Sequence, residues 1–268
     1  MTDSKDFLTL AREGYVATVT LSRPEQHNAW HPQMGLDLEA MVRTLGSDAA
    51  VRVIVITGAG KSFCAGLDLS YLRDVRAGRT APVPDPGPGD EDLNQRYSYL
   101  MSIPKPVICA VNGPAVGIGL VLALFCDIRY AAASARFSGM FSRRGLIPEH
   151  GITWLLPRMI GLPRAMELMM SGRMVDAGEA ERIGLVNACL ADDGFHEQVA
   201  QRARDLAENT SPRANRIIKR LTYEATTSSL TQAVHAFYRE LPDTLASEDF
   251  REGVQHFIEK RPARFTGN

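Results

Sequence analysis

Up to about residue 190 the chain alternates two hydrophobic patterns, and beyond it only one of them continues. Short runs rich in Val and Ile, bounded by turn formers, read as buried strands. Longer stretches with apolar residues every third or fourth position read as helices. Phe7 to Leu10 and Tyr15 to Leu21 predict two strands around an Arg12-Glu13-Gly14 turn. SRPEQHNAW follows as a loop, after which Met34, Leu38, Met41, Val42 and Leu45 recur at helical spacing. VRVIVITG (51–58) predicts another buried strand, and AGKSFCAGLDLSYL brings a Gly-rich turn with Asp68 placed to cap the next helix.

From Arg76 to Asp92 proline and glycine are too dense for helix or strand, which predicts a mobile loop or lid. Leu93 to Met101 resumes as helix and leads into KPVICAVNGPAVGIGLVLALFCDIRYAAA (105–133). There a short apolar strand turns through Asn112-Gly113-Pro114 and passes Gly117-Ile118-Gly119 into a run apolar on all sides, the mark of a central helix. SARFSGMFSRRGLIPEHGITWLLPRMIG reads as a short strand, a loop and the start of a helix; GRMVDAGEAERIGLVNACL reads as helix, turn and strand. From Asp193 onward the pattern is helical throughout. Strand–helix units followed by a helical tail predict an α/β core with a C-terminal helical segment.

Composition narrows the class without naming a reaction. At 268 residues the chain is long enough for one large domain, or a domain with an appendage. Lys and Arg number 30 against 31 Asp and Glu, a formal net charge of -1, so nothing argues for nucleic acid or an anionic membrane as partner. Cys64, Cys109, Cys126 and Cys189 are widely spaced, with no CxxC and no Cys/His ligand spacing, and read as reduced thiols. The N-terminus lacks the charged-then-apolar pattern of a secretory signal, and the apolar run at 117–125 is too short to span a bilayer. The expectation is a cytoplasmic protein.

Two strand–glycine turn–helix units carry the candidate chemistry: VIVITGAGKSFCAGLDL and PVICAVNGPAVGIGL. At a helix start the first N–H groups have no intrahelical partner, so such turns suit an anion or a polarised carbonyl oxygen. Either turn could also be purely structural. The second fits a GxxxGxG dinucleotide turn, but it lies mid-chain and lacks an acidic residue at the end of a second strand. Cys64 has no recognisable base nearby and reads as a small buried thiol. Trp30, Tyr71 and Trp154 read as core or pocket wall.

These two segments, with GLIPEHGITWLLPRMIG and the tail EDFREGVQHFIEKRPARF, resemble the crotonase (enoyl-CoA hydratase/isomerase) superfamily over essentially the whole chain. The resemblance implies a spiral of ββα units over residues 1–195 carrying an acyl-CoA site, and a C-terminal helical trimerisation region over 196–268. It implies a homotrimer or dimer of trimers, and no cofactor beyond the CoA of the substrate. It further implies an oxyanion hole built from the backbone N–H groups of Leu67 and Ile118, flanked by Ala65, Gly66, Asp68, Leu69 and Gly117. Main-chain groups at Ala65 and Leu67 would hold the adenine, and Arg23 and Lys260 would meet the CoA phosphates.

One departure bears on the reaction. Hydratases of the family use two glutamates, and the corresponding positions here are Val121 and Phe141, neither of which transfers a proton. Glu149 stands in the loop where some members carry a catalytic Asp, and is the expected proton-transfer group; the alternative is a loop-fixing ion pair with Arg143 or Arg144. His150 is the second candidate there, and Trp154 is placed to line the acyl site. The expected chemistry is double-bond migration or hydrolysis of an acyl-CoA thioester. The competing expectation is a non-catalytic acyl-CoA-binding homologue.

Overall fold

The computed structural model describes residues 7–79, 93 and 95–268. The expected proline loop lies, from residue 80 onward, outside the described residues. Strands β1 (Leu8–Glu13) and β2 (Val16–Leu21) form a hairpin with Glu13 paired to Val16, so the turn is Gly14-Tyr15, two residues later than the sequence pattern placed it. The reason is that Arg12 and Glu13 alternate outward on an edge strand and need no apolar side chain to continue the pairing. Helix α1 (Pro32–Ser47) follows, burying Met34, Leu38, Val42 and Leu45 as their spacing predicts.

Strand β3 (Val53–Gly58), helix α2 (Leu69–Arg76), a short helix α3 (Tyr99–Ser102), strand β4 (Val107–Val111), strand β5 (Ala115–Val116) and helix α4 (Ile118–Phe125) come next. Helical geometry was expected from Leu93, yet the Ser98 hydroxyl accepts from Gln95 N–H and holds a turn ahead of α3. All eight residues of α4 are buried. The helix stops at Phe125, where the apolar run ends, and Asp127 N–H is taken by Val107 O as the chain enters strand β6 (Ile128–Ala132).

Strand β7 (Arg136–Ser138), helices α5 (Ile152–Ile160) and α6 (Leu162–Ser171), strand β8 (Val175–Asp176), helix α7 (Ala177–Arg182) and strand β9 (Ala188–Leu190) complete the α/β part. One sheet runs β1-β2-β3-β4-β6-β9, parallel apart from the β1–β2 hairpin; a second, β5-β7-β8, stands beside it. In the parallel strands residues alternate between two apolar faces, as a sheet covered on both sides requires. Ile54, Ile56, Cys109 and Val111 point to the main core, whereas Val53, Val55, Ile108 and Ala110 point to the other face.

That other face is covered by Phe195, Val199, Ala203 and Ala207 of helix α8 (Phe195–Glu208). Helices α9 (Pro212–Ala225), α10 (Leu230–Ala246) and α11 (Glu248–Glu259) form the expected helical tail. Helix α9 is anchored by Lys219, whose ammonium donates to Leu100 O, Lys105 O and the Asp127 carboxylate. Leu230, Phe237, Tyr238, Phe257 and Ile258 remain exposed on α10 and α11. No described helix is long and apolar enough to cross a membrane.

Candidate active site

The two glycine turns are laced together by main-chain bonds. Cys64 N–H donates to Pro114 O (3.1 Å) and Val116 N–H donates back to Cys64 O (2.9 Å). Gly117 then adopts φ +53° and ψ -116°, a conformation open to glycine, and α4 begins. Gly119 is required by space: a Cβ there would lie 2.3 Å from Cys64 O, so the start of α4 presses directly on the first turn. The first turn is bracketed from its other side, with Trp30 N–H on Gly66 O (2.7 Å) and Asp68 N–H on Trp30 O (3.0 Å). Between these bonds Leu67 N–H, and in the first turn of α4 Ile118 N–H, donate to no acceptor among the described residues. Two free donors on abutting rigid turns are what an oxyanion hole needs.

Asp68 fixes the first turn. Its carboxylate caps α2 through Ser70 N–H (2.8 Å) and pairs with Arg23 (2.8 Å). Burial opposes its ionisation, but hydrogen bonds from Ser70 and Arg23 prevail and hold its pKa at about 2. Arg23 also donates to Ala29 O and Gln26 and lies over the Phe7 ring. The expected phosphate-binding arginine is therefore a clamp on the turn, its guanidinium taken up by protein acceptors. Ala65 and Leu69 are exposed beside it; Lys260 is exposed at the C-terminal end of α11, in a left-handed conformation, and no hydrogen bond or ion pair among the described residues joins it to these turns. Cys64 is fully buried, and burial pushes its thiol up to about 12, which removes it as a nucleophile.

Val121 and Phe141 are buried at 0% and 3% exposure, so the places where a hydratase would carry its carboxylates are closed apolar core. Glu149 occupies the loop before α5, where His150 (φ +54°) and Gly151 (φ +78°) are both left-handed and turn the chain sharply into the helix. Burial raises the Glu149 pKa above the usual carboxylate range, with the Arg96 charge partly opposing it. Burial also lowers the His150 pKa, to about 4, and Arg96 adds to that shift, so the imidazole is neutral at pH 7. The Glu149–His150 approach of 3.6 Å is thus a contact between a carboxylate and a neutral ring. Neither Arg143, which donates to Ser171 O, nor Arg144 forms an ion pair with Glu149. The loop-fixing alternative is not what the structure contains.

A cavity of about 730 Å³ opens next to this loop, lined among others by Arg96, Tyr97, Met101, Phe125, His150 and Trp154. Leu67 and Ile118 are not among its walls. A series of rings connects the two places: Trp30 pairs with the Leu67 turn, the Tyr97 ring lies 5.8 Å from Trp30, and His150 meets Tyr97 edge-on at 4.8 Å. Arg96 and Tyr97 were missed by sequence reasoning. Their only local signal is a place in a helical run just after the proline loop, which says nothing of which groups they face.

The Enoyl-CoA hydratase/isomerase family model matches residues 11–268. A 1,2-epoxyphenylacetyl-CoA isomerase of Escherichia coli (strain K12) is 40% identical, over 98% of this chain and 99% of its own. A probable enoyl-CoA hydratase of Rhodobacter capsulatus is 38% identical, over 94% of this chain and 95% of its own. Among solved structures, a probable enoyl-CoA hydratase/isomerase from Mycobacterium abscessus superposes with a TM-score of 0.88 at 33% identity, covering 97% of this chain and 99% of that one. With two laced glycine turns, a buried α4 and a whole-chain match, the protein belongs to the enoyl-CoA hydratase/isomerase, or crotonase, family.

Proposed function

We propose that the protein isomerises an acyl-CoA thioester, holding the thioester oxygen between Leu67 N–H and Ile118 N–H and moving a proton with Glu149. The observation that carries this reading is the half-shielded carboxylate at Glu149, with apolar Val121 and Phe141 at the positions of the two glutamates that hydration uses. On a 3-enoyl thioester the Glu149 carboxylate takes a proton from C2. The electron pair is delocalised onto the thioester oxygen, where two preorganised donors stabilise the negative charge; each such donor contributes roughly 3–4 kcal/mol. The protonated Glu149 returns the proton to C4, and the double bond lies between C2 and C3. One carboxylate suffices for both transfers and no water enters. The relative named as an isomerase is in keeping with this assignment.

The same reading places the adenine of CoA on main-chain groups at Ala65 and Leu67, with Gly66, Asp68, Leu69 and Gly117 shaping the turn around it. Lys260 meets the phosphates, supplied by a neighbouring subunit of a homotrimer or dimer of trimers, whose contacts draw on the apolar side chains exposed on α10 and α11. The test is turnover of 3-hexenoyl-CoA, followed by the absorbance of the conjugated product. Glu149→Gln is expected to lower kcat by about 10²- to 10⁴-fold with CoA-ester affinity retained. Absence of turnover by the wild type across 3-enoyl esters, or a Glu149→Gln variant as fast as the wild type, defeats the proposal.

A further inference from the structure

Arginines that tie this fold together are saturated by carboxylates. Among the described residues Arg173, Arg204, Arg220 and Arg261 each meet two glutamates, and Arg23 meets Asp68. Arg96 differs. It is half-buried in the wall of the cavity of about 730 Å³, its side chain bonds to the Tyr97 hydroxyl, and among the described residues it forms no ion pair. The wall around it is largely apolar, with Met101, Phe125 and Trp154. Glu224, an acid of the same wall, is held by Arg220 at 3.0 Å, and His150 is neutral at pH 7. Glu149 lies within electrostatic reach of Arg96 without pairing to it. The cavity thus holds a cation whose charge no protein carboxylate neutralises by contact. A guanidinium in such a place gains most from an anion that brings its own oxygens, and its planar fork fits a carboxylate with two parallel N–H···O bonds.

The reach of Arg96 to Glu149 and His150 puts it at the acyl end of the ligand, because Glu149 works on C2 and C4. On the same reading the adenine and phosphates of CoA lie elsewhere, at Ala65, Leu67 and Lys260. A second carboxylate close to C2 would crowd Glu149 with like charge, so it belongs further along the chain. We propose that Arg96 binds a carboxylate at the distal end of the acyl group, which makes mono-CoA esters of dicarboxylic acids, rather than esters of plain fatty acids, the preferred ligands. Arg96 is thereby a specificity-determining residue. The inference rests on the acyl-CoA reading of the site and goes beyond it by naming the chemical class of the acyl group.

The experiment compares saturated esters of equal chain length: glutaryl-CoA with pentanoyl-CoA, adipoyl-CoA with hexanoyl-CoA, and suberoyl-CoA with octanoyl-CoA. Dissociation constants are measured by calorimetry on the full chain, for the wild type, Arg96→Met and Arg96→Gln. In at least one pair the wild type is expected to bind the dicarboxylic ester about tenfold or more tighter, the scale of a hydrogen-bonded charge pair. Both variants should lose that preference while keeping their affinity for the fatty ester. A wild type that favours the fatty ester at every length overturns the assignment. So does an equal weakening of both esters in the variants, which would put Arg96 on the CoA phosphates instead. If the wild type binds none of the six esters, the acyl-CoA reading has failed and the inference falls with it, a result distinct from binding without discrimination.

Discussion

Asp127 and Glu149 are both carboxylates whose pKa burial raises, yet their surroundings are opposite. Asp127 is enclosed by donors: Lys219 at 2.7 Å, Val107 N–H at 2.7 Å and the Tyr223 hydroxyl at 2.8 Å. Both carboxylate oxygens accept hydrogen bonds that join α9 to the start of β4, and the Lys219 charge opposes the effect of burial. Glu149 has a neutral imidazole at 3.6 Å and the field of Arg96, and a third of its side chain remains open. A perturbed pKa alone does not separate the two. Unused hydrogen-bonding capacity beside a cavity does, and it separates a structural tie from a group free to exchange protons.

That contrast can be broken in both directions. The largest effect belongs to the Glu149→Gln variant, expected to lose about 10²- to 10⁴-fold in kcat on 3-hexenoyl-CoA with no loss of stability. Lys219→Met should do the reverse. Removing one partner of a buried pair leaves Asp127 charged and uncompensated, at a stability loss of about 3–5 kcal/mol by denaturant unfolding. Were Lys219→Met to leave stability unchanged, Asp127 would not be the structural tie described here.

Gly119→Ala sharpens the other half of the site. Its Cβ would meet Cys64 O at 2.3 Å, so α4 must shift away from the first turn and the two free N–H groups separate. The expected loss is about 10²- to 10³-fold in kcat, the scale of losing one oxyanion donor. Retention of full activity in Gly119→Ala would exclude the paired turns as the oxyanion site.

The smallest effect is on pH dependence. Glu149 works as the carboxylate, so kcat/KM is expected to rise with pH through a value above 4.5, the ordinary glutamate pKa. Because its folded pKa is raised, its protonated form is the one the fold favours, and ionisation takes stability away as pH rises through that pKa. Glu149→Gln should accordingly gain in melting temperature relative to wild type between pH 4 and pH 7. An acid limb at or below 4.5, or a flat melting difference, would mean that Glu149 is solvated like a surface acid.

Much of the fold is legible along the chain, and the residues show why. Val53 to Ile56 and Val107 to Val111 are apolar without a break because parallel strands between two layers have no wet face, and this is visible locally. The four C-terminal helices keep their period, and Ser211, Ser229 and Ser247 cap the last three. The β1–β2 turn was misplaced because it is set by pairing between the two strands, which outweighs local preference.

What the sequence by itself determined is the scaffold of the site: two glycine turns at helix starts, a cap at Asp68, and side chains without acid at 121 and 141. These follow from sterics and chemistry confined to a few neighbouring residues. Only the tertiary structure decided that the two turns abut with free N–H groups, that Arg23 belongs to Asp68, that Glu149 is shielded without an ion pair, and that the Tyr97 ring stands between Trp30 and His150. Desolvation and hydrogen-bond satisfaction depend on what surrounds a group in space. Around Tyr97 that means Trp30, Cys64 and His150, which the chain keeps dozens of residues apart until it folds.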